Sequence, residues 1–94
     1  GTVVAGDSIG QRVVINPLIT CGHCSFCDTG RSHLCAEREL IGMRLEGAYA
    51  EYVVIPSRNV IAISDEIKAE YASLAEPAAT ALHAPSWTAR SRCE

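Results

Sequence analysis

Cys21-Gly22-His23-Cys24-Ser25-Phe26-Cys27, followed after seven residues by Cys35, is the stretch on which the reading of this chain turns. A tetrahedral zinc takes four ligands at about 2.3 Å from sulfur, and a C-x-x-C step lets two thiolates converge while backbone N–H groups between them point at the sulfurs. Two such steps share Cys24. The return to Cys35 contains Asp28-Thr29-Gly30, a turn sequence that can bring the fourth thiol back to the other three. Four thiolates leave no open coordination position, so a metal held here is structural and not catalytic. Two alternatives stand beside zinc. Cubane iron–sulfur clusters commonly use C-x-x-C-x-x-C-x-x-x-C-P, whereas here the fourth cysteine lies seven residues on and Ala36 follows it. Disulfide pairing is the other, and clustering of four cysteines within fifteen residues argues for metal over it. His23 and His33 lie inside the loop and could each replace a cysteine; with four cysteines present, both read as solvent-facing imidazoles.

Outward from the cysteines, residues 17–37 show no apolar periodicity. An irregular excursion of this length needs a cross-link, which the cysteines supply. Before it, the β-branched runs 2–5 and 12–16 flank Gly6, Asp7, Ser8 and Gly10 and predict a hairpin. After it come strand-like segments at 39–43, 48–55 and 59–63; in the longest, apolar side chains fall on both faces, as in a strand packed on two sides. Five short strands predict a small β-barrel or bent sheet. Ser64 and Asp65 offer an N-cap for a short helix through Leu74, and Pro77 suits the first turn of another helix over residues 78–84, which Pro85 should stop.

Composition narrows the classes. The chain has 94 residues, 48% hydrophobic and 20% charged, which is ordinary globular usage and room for one domain. Eight scattered Lys and Arg stand against 11 Asp and Glu, a formal charge of -3, which speaks against nucleic acid or an anionic membrane as partner. Neither a signal peptide nor a transmembrane span is legible, so the expected location is cytoplasmic. Cys93 reads as an unpaired thiol.

Taken in order and spacing, Gly10-Gln11-Arg12-Val13-Val14-Ile15-Asn16-Pro17, the cysteine loop with Gly22 and Gly30, Gly47-Ala48-Tyr49-Ala50-Glu51-Tyr52, and Glu76-Pro77-Ala78-Ala79-Thr80-Ala81-Leu82-His83-Ala84 resemble the zinc-containing medium-chain alcohol dehydrogenases. The Glu-Pro helix is most similar to the polyol, idonate and threonine dehydrogenase branch. The resemblance implies a mainly β fold: a partial GroES-like β-barrel over residues 1–84, with an irregular structural-zinc lobe at 17–38, short C-terminal helices, and an unrelated tail at 85–94. It implies Cys21, Cys24, Cys27 and Cys35 as the structural-zinc ligands. For Glu76 it implies a place beside the catalytic zinc, as a ligand or through its water. Read from this chain alone, Glu76 is an ordinary acid favoured by a helix N-terminus, because a single carboxylate cannot hold a catalytic metal. The Gly47 to Tyr52 motif reads as strand packing before substrate contact.

Three departures from the family accompany the likeness. Its remaining catalytic-zinc ligands, a cysteine and a Gly-His-Glu motif, would precede Gly1 and are absent from this sequence. The connection from Gly6 to Gly10 is several residues shorter than the family's. No Gly-x-Gly-x-x-Gly follows Ala84, so no dinucleotide-binding residues are expected. The expectation is therefore part of a zinc-dependent NAD(P)-linked dehydrogenase of an alcohol or polyol, with catalytic zinc and NAD(P) needed only in the complete enzyme, inactive alone, and with oligomerisation left open. The rival is a stand-alone structural zinc-binding module that binds a protein partner through bare barrel surface. A shifted reading frame without function is a third reading, prompted by the change at Pro85.

Overall fold

A computed structural model describes residues 1–90 of the chain. Among the described residues, four strands, β1 (Val13–Ile15), β2 (Leu18–Ile19), β3 (Glu39–Leu40) and β4 (Val60–Ala62), form two open two-stranded sheets, β1 with β4 and β2 with β3. Helices are α1 (Ser25–Asp28), α2 (Ala69–Ala72) and α3 (Ala75–Arg90), with single 3-10 turns at Ser32–Leu34 and Ser57–Asn59. This is the β framework with an irregular cysteine loop and C-terminal helices that the sequence leads one to expect, in open rather than closed form. No described helix is long and apolar enough to cross a membrane.

The chain divides into two compact units. Ile15–Ile61 holds the cysteine loop, and the antiparallel pair β2–β3 clamps the loop's two ends, with Leu18 opposite Leu40 and Ile19 opposite Glu39. The Ile41 N–H donates to the Pro17 carbonyl at 3.0 Å and extends the clamp. Beneath it lies Asn59, only 4% exposed, whose Nδ2 donates to the carbonyls of Asn16 and Leu18 at 2.9 and 2.8 Å. A buried amide pays for its desolvation only when both N–H groups find acceptors, and here both do.

Of the described residues, the other unit takes Gly1–Val14 and 62–90. The hairpin expected at residues 2–16 shrinks to one antiparallel bridge, Thr2 to Arg12, supported by Val3 N–H to Gln11 O at 3.0 Å. Its short connection turns through positive φ at Gly6, Ser8 and Gly10, leaving few residues in extended geometry.

Several expected elements differ. Residues 48–55 form no strand, and Tyr49, Tyr52 and Val54 are exposed; alternation gives a strand only where a neighbouring chain accepts its hydrogen bonds. Leu18–Ile19 is a strand inside a stretch read as irregular. Ser64 does accept the Glu66 N–H at 3.3 Å, but Lys68 is extended, so the helix starts at Ala69 rather than at the Ser64 turn. Pro85 does not stop the last helix: α3 runs through it to Arg90. Proline lacks the N–H that would reach the Ala81 carbonyl, yet the alanine-rich turns around it keep the helix going at a local cost of about 3 kcal/mol. Cys93 lies outside the described residues.

Candidate metal centre

The cysteine loop is built from local bonds. After Cys24 the chain makes a single helical turn, α1, which ends in paired bonds from Gly30 N–H to Cys27 O at 3.2 Å and from Arg31 N–H to Phe26 O at 2.7 Å. This is the Schellman closure, and Gly30 supplies the positive φ of 72° that it requires. The Thr29 hydroxyl donates to Ser25 O at 2.7 Å, and the Arg31 guanidinium lies 5.6 Å above the Phe26 ring. The 3-10 turn Ser32–Leu34 then delivers Cys35, whose N–H donates to Ser32 O at 3.0 Å.

This path brings all four cysteines together. Their sulfurs lie within 4.8 Å of one another, with Cys24 to Cys27 at 3.5 Å, Cys21 to Cys35 at 3.6 Å and Cys21 to Cys27 at 3.9 Å. A tetrahedron with zinc–sulfur bonds of 2.3 Å has edges of about 3.8 Å, so the four thiols fit a single zinc ion. The separations are far beyond the roughly 2.05 Å of a disulfide, and all four thiols are free. A cubane, with four irons between its ligands, would hold them further apart. Cys35 is fully buried, and the other three are half-buried.

Backbone amides set the thiols' acidity. Burial pushes the Cys27 thiol up, but the Gly22 N–H, the Cys24 and Thr20 side chains and Cys21 outweigh it, taking Cys27 from the ordinary 9.0 down to about 6. The Cys21 thiol is also lowered, chiefly by the His23 N–H. Cys24 accepts from the Cys27 N–H, which lowers it, but burial and its own donated S–H bond to the Cys27 sulfur push it up to about 11. The cluster is thus poised around a Cys27 thiolate, the charge state a divalent cation requires.

Neighbouring groups hold the loop in place. Arg58 Nη2 donates to the Thr20 carbonyl at 2.6 Å, and Arg38 Nη1 donates to the Cys35 carbonyl at 3.0 Å, which puts two cations beside a site that carries four thiolates when metallated. Gly22 has φ 80°, and a Cβ there would come within 3.3 Å of Arg58 Nη1. His23 Nδ1 bonds the Cys21 carbonyl at 2.9 Å, and its ring lies with Cys21 and Glu37 in a second group of metal-capable side chains. His33 sits in the 3-10 turn, exposed and outside both groups. Glu76 is exposed in the first turn of α3, in the other unit. Gly47 lies close against Gly42: a Cβ there would meet the Gly42 Cα at 3.2 Å. Arg58, Asn59 and Glu37 escaped the sequence reading, since nothing local distinguishes them from surface polar residues.

Comparison with known proteins places this architecture. The alcohol dehydrogenase GroES-like domain profile matches residues 1–65. L-threonine 3-dehydrogenase of Shewanella woodyi is 46% identical over 83 residues, 88% of this chain and 24% of that enzyme, and the enzyme of the same name from Vibrio parahaemolyticus is 47% identical over the same lengths. This chain therefore spans about a quarter of the curated relatives it matches. Among solved structures, a short chain alcohol dehydrogenase of E. coli CFT073 complexed with NADH superposes with a TM-score of 0.72 and 31% identity over 78% of this chain and 23% of that one. An NAD-dependent alcohol dehydrogenase gives a TM-score of 0.62 with 38% identity over 68% of this chain and 19% of that one. With its GroES-like profile match and these dehydrogenase relatives, the chain belongs to the alcohol dehydrogenase GroES-like domain family.

Proposed function

We propose that Cys21, Cys24, Cys27 and Cys35 hold one structural zinc in the GroES-like domain of a zinc-dependent, NAD(P)-linked alcohol dehydrogenase. The observation that carries this reading is the near-tetrahedral spacing of four free thiols at 3.5 to 3.9 Å along the measured edges. When bound, the metal supplies a cross-link and no open position for substrate. The chain's own residues do the rest. The Gly22 and His23 N–H groups favour thiolate at Cys27 and Cys21, the β2–β3 clamp fixes the loop's ends, and Arg38 and Arg58 balance the negative charge.

The likeness to L-threonine 3-dehydrogenases supports a secondary alcohol, such as a hydroxy amino acid or polyol, as substrate of the complete enzyme, and a cytoplasmic location is in keeping with it. Residues 1–84 are read as the part of that enzyme's domain present here, and 85–94 as a tail. Glu76 is assigned to the neighbourhood of the catalytic zinc in the complete enzyme. Hydride transfer needs a nicotinamide held by a glycine-rich turn, and this sequence has no Gly-x-Gly-x-x-Gly. The chain alone should therefore neither reduce NAD(P) with threonine, sorbitol or idonate nor bind the cofactor. Native mass spectrometry of the purified chain tests the zinc reading: one zinc, lost in Cys24→Ser, is expected, whereas two tightly bound ions, iron, or zinc retained in Cys24→Ser would overturn it.

A further inference from the structure

Cys21 belongs to two groups of potential ligands. One is the four-cysteine set; the other is Cys21, His23 and Glu37, whose ligand atoms also lie within 4.8 Å of one another. The second group differs from the first in exposure. His23 and Glu37 are exposed and Cys21 is half-buried, whereas the four-thiol set includes Cys35, which is 0% exposed. A hydrated divalent cation can meet the second group without shedding all its water, but must lose its whole shell to reach Cys35.

The His23 ring is prepared for such a meeting. A carbonyl can only accept, so the 2.9 Å bond to Cys21 O places a proton on Nδ1 and leaves the lone pair of the neutral ring on Nε2. Donation from the non-ligating nitrogen to a backbone carbonyl is the arrangement that orients metal-binding histidines. Glu37, just beyond the buried Cys35, adds a carboxylate oxygen, and the resulting sulfur, nitrogen and oxygen set is one that zinc accepts with water in the fourth position.

We propose that Cys21, His23 and Glu37 form an entry site that first captures incoming zinc, which then passes into the four-thiolate site with Cys21 as the ligand common to both. The proposal rests on the structural-zinc reading above. The steps balance without redox chemistry. Hydrated Zn2+ loses one water for each ligand bound, each thiol that joins gives its proton to solvent, and His23 and Glu37 leave unchanged as Cys24, Cys27 and Cys35 replace them. Because the two sites share Cys21, the entry site is vacated as the closed site fills, and the final stoichiometry stays at one.

A relay lowers the barrier in both directions and leaves the end states alone, so its signature is kinetic. Metal-free, reduced chain is mixed with Zn2+ by stopped flow, and the loaded chain is challenged with a chelator. In the double variant His23→Ala, Glu37→Ala, loading and release should both slow, and by the same fold, because the end states are unaltered. Zinc stoichiometry and equilibrium affinity should stay unchanged, and His33→Ala should load at the parent rate. Unchanged loading in the double variant, at a stoichiometry of one, overturns the relay while leaving the structural zinc standing. Faster release with weaker affinity also overturns it, since His23 and Glu37 would then be supporting the closed site. Failure of the parent chain to bind zinc overturns the structural-zinc reading instead. A second measurement does not depend on closure of the lobe: in Cys24→Ser, Cys27→Ser, Co2+ should bind weakly through Cys21, His23 and Glu37, and further His23→Ala should abolish its visible spectrum. A spectrum indifferent to His23 counts against the entry site.

Discussion

The cysteine loop and the segment at residues 48–55 both carry strong sequence patterns, and only one of the two becomes the structure its pattern suggests. The loop has almost no apolar periodicity, yet it is ordered by bonds that close within a few residues, as in the Gly30 and Arg31 closure of α1, and it brings four sulfurs to one point. Residues 48–55 alternate as a strand should, yet run irregularly with Tyr49, Tyr52 and Val54 exposed. A turn or a ligand cluster completes itself from nearby residues. A strand needs a second strand, and its free energy comes from the pairing.

The largest effect that would break or sharpen this contrast is metal removal. Structural zinc contributes on the order of 10 kcal/mol to small folded lobes, so a chelator should collapse the NMR dispersion of residues 20–38 and leave the signals of 48–55 nearly where they were. Equal loss in both regions would mean that the loop's local bonds are not independent of the rest.

Acidity comes next. Cys27 is lowered from 9.0 to about 6 in the folded cluster, so its contribution to order in the metal-free loop is complete above about pH 9 and disappears as pH falls through 6. Because Cys27 is already ionised at pH 7.5, zinc binding at that pH should release fewer than four protons, as read by a weakly buffered indicator dye. Each proton released makes affinity fall about tenfold per pH unit on acidification. Release of four would show that the amides around Cys27 do not stabilise its thiolate.

Asn59 gives a smaller effect and tests how the chain at the loop's base is anchored. Asn59→Ala leaves the Asn16 and Leu18 carbonyls without their buried donor, and should cost the zinc-loaded chain about 1–3 kcal/mol in denaturant unfolding. Asn59→Asp, which lacks the Nδ2 donors, should not rescue it. At the bottom of the scale, Val54→Thr replaces a side chain that is 98% exposed and should shift stability by less than about 0.5 kcal/mol. A loss beyond 2 kcal/mol would show that 48–55 packs as its pattern suggests, and the contrast would fail.

What could be read from the residue order and what could not divide along the same line. Cys21, Cys24, Cys27 and Cys35, the turn at Asp28-Thr29-Gly30 and the first-turn place of Pro77 were legible because each depends on residues close in sequence. Spacing alone carries such information, since a short connection leaves few conformations. Tertiary structure was needed for the register of β2 on β3 and for Asn59 reaching back to Asn16 and Leu18. It was also needed to show α3 continuing through Pro85, where proline chemistry argues for a stop and the surrounding alanine-rich turns prevail. These features depend on partners some twenty to forty-three residues away or on the balance of a whole helix, and no local pattern states which distant group will arrive.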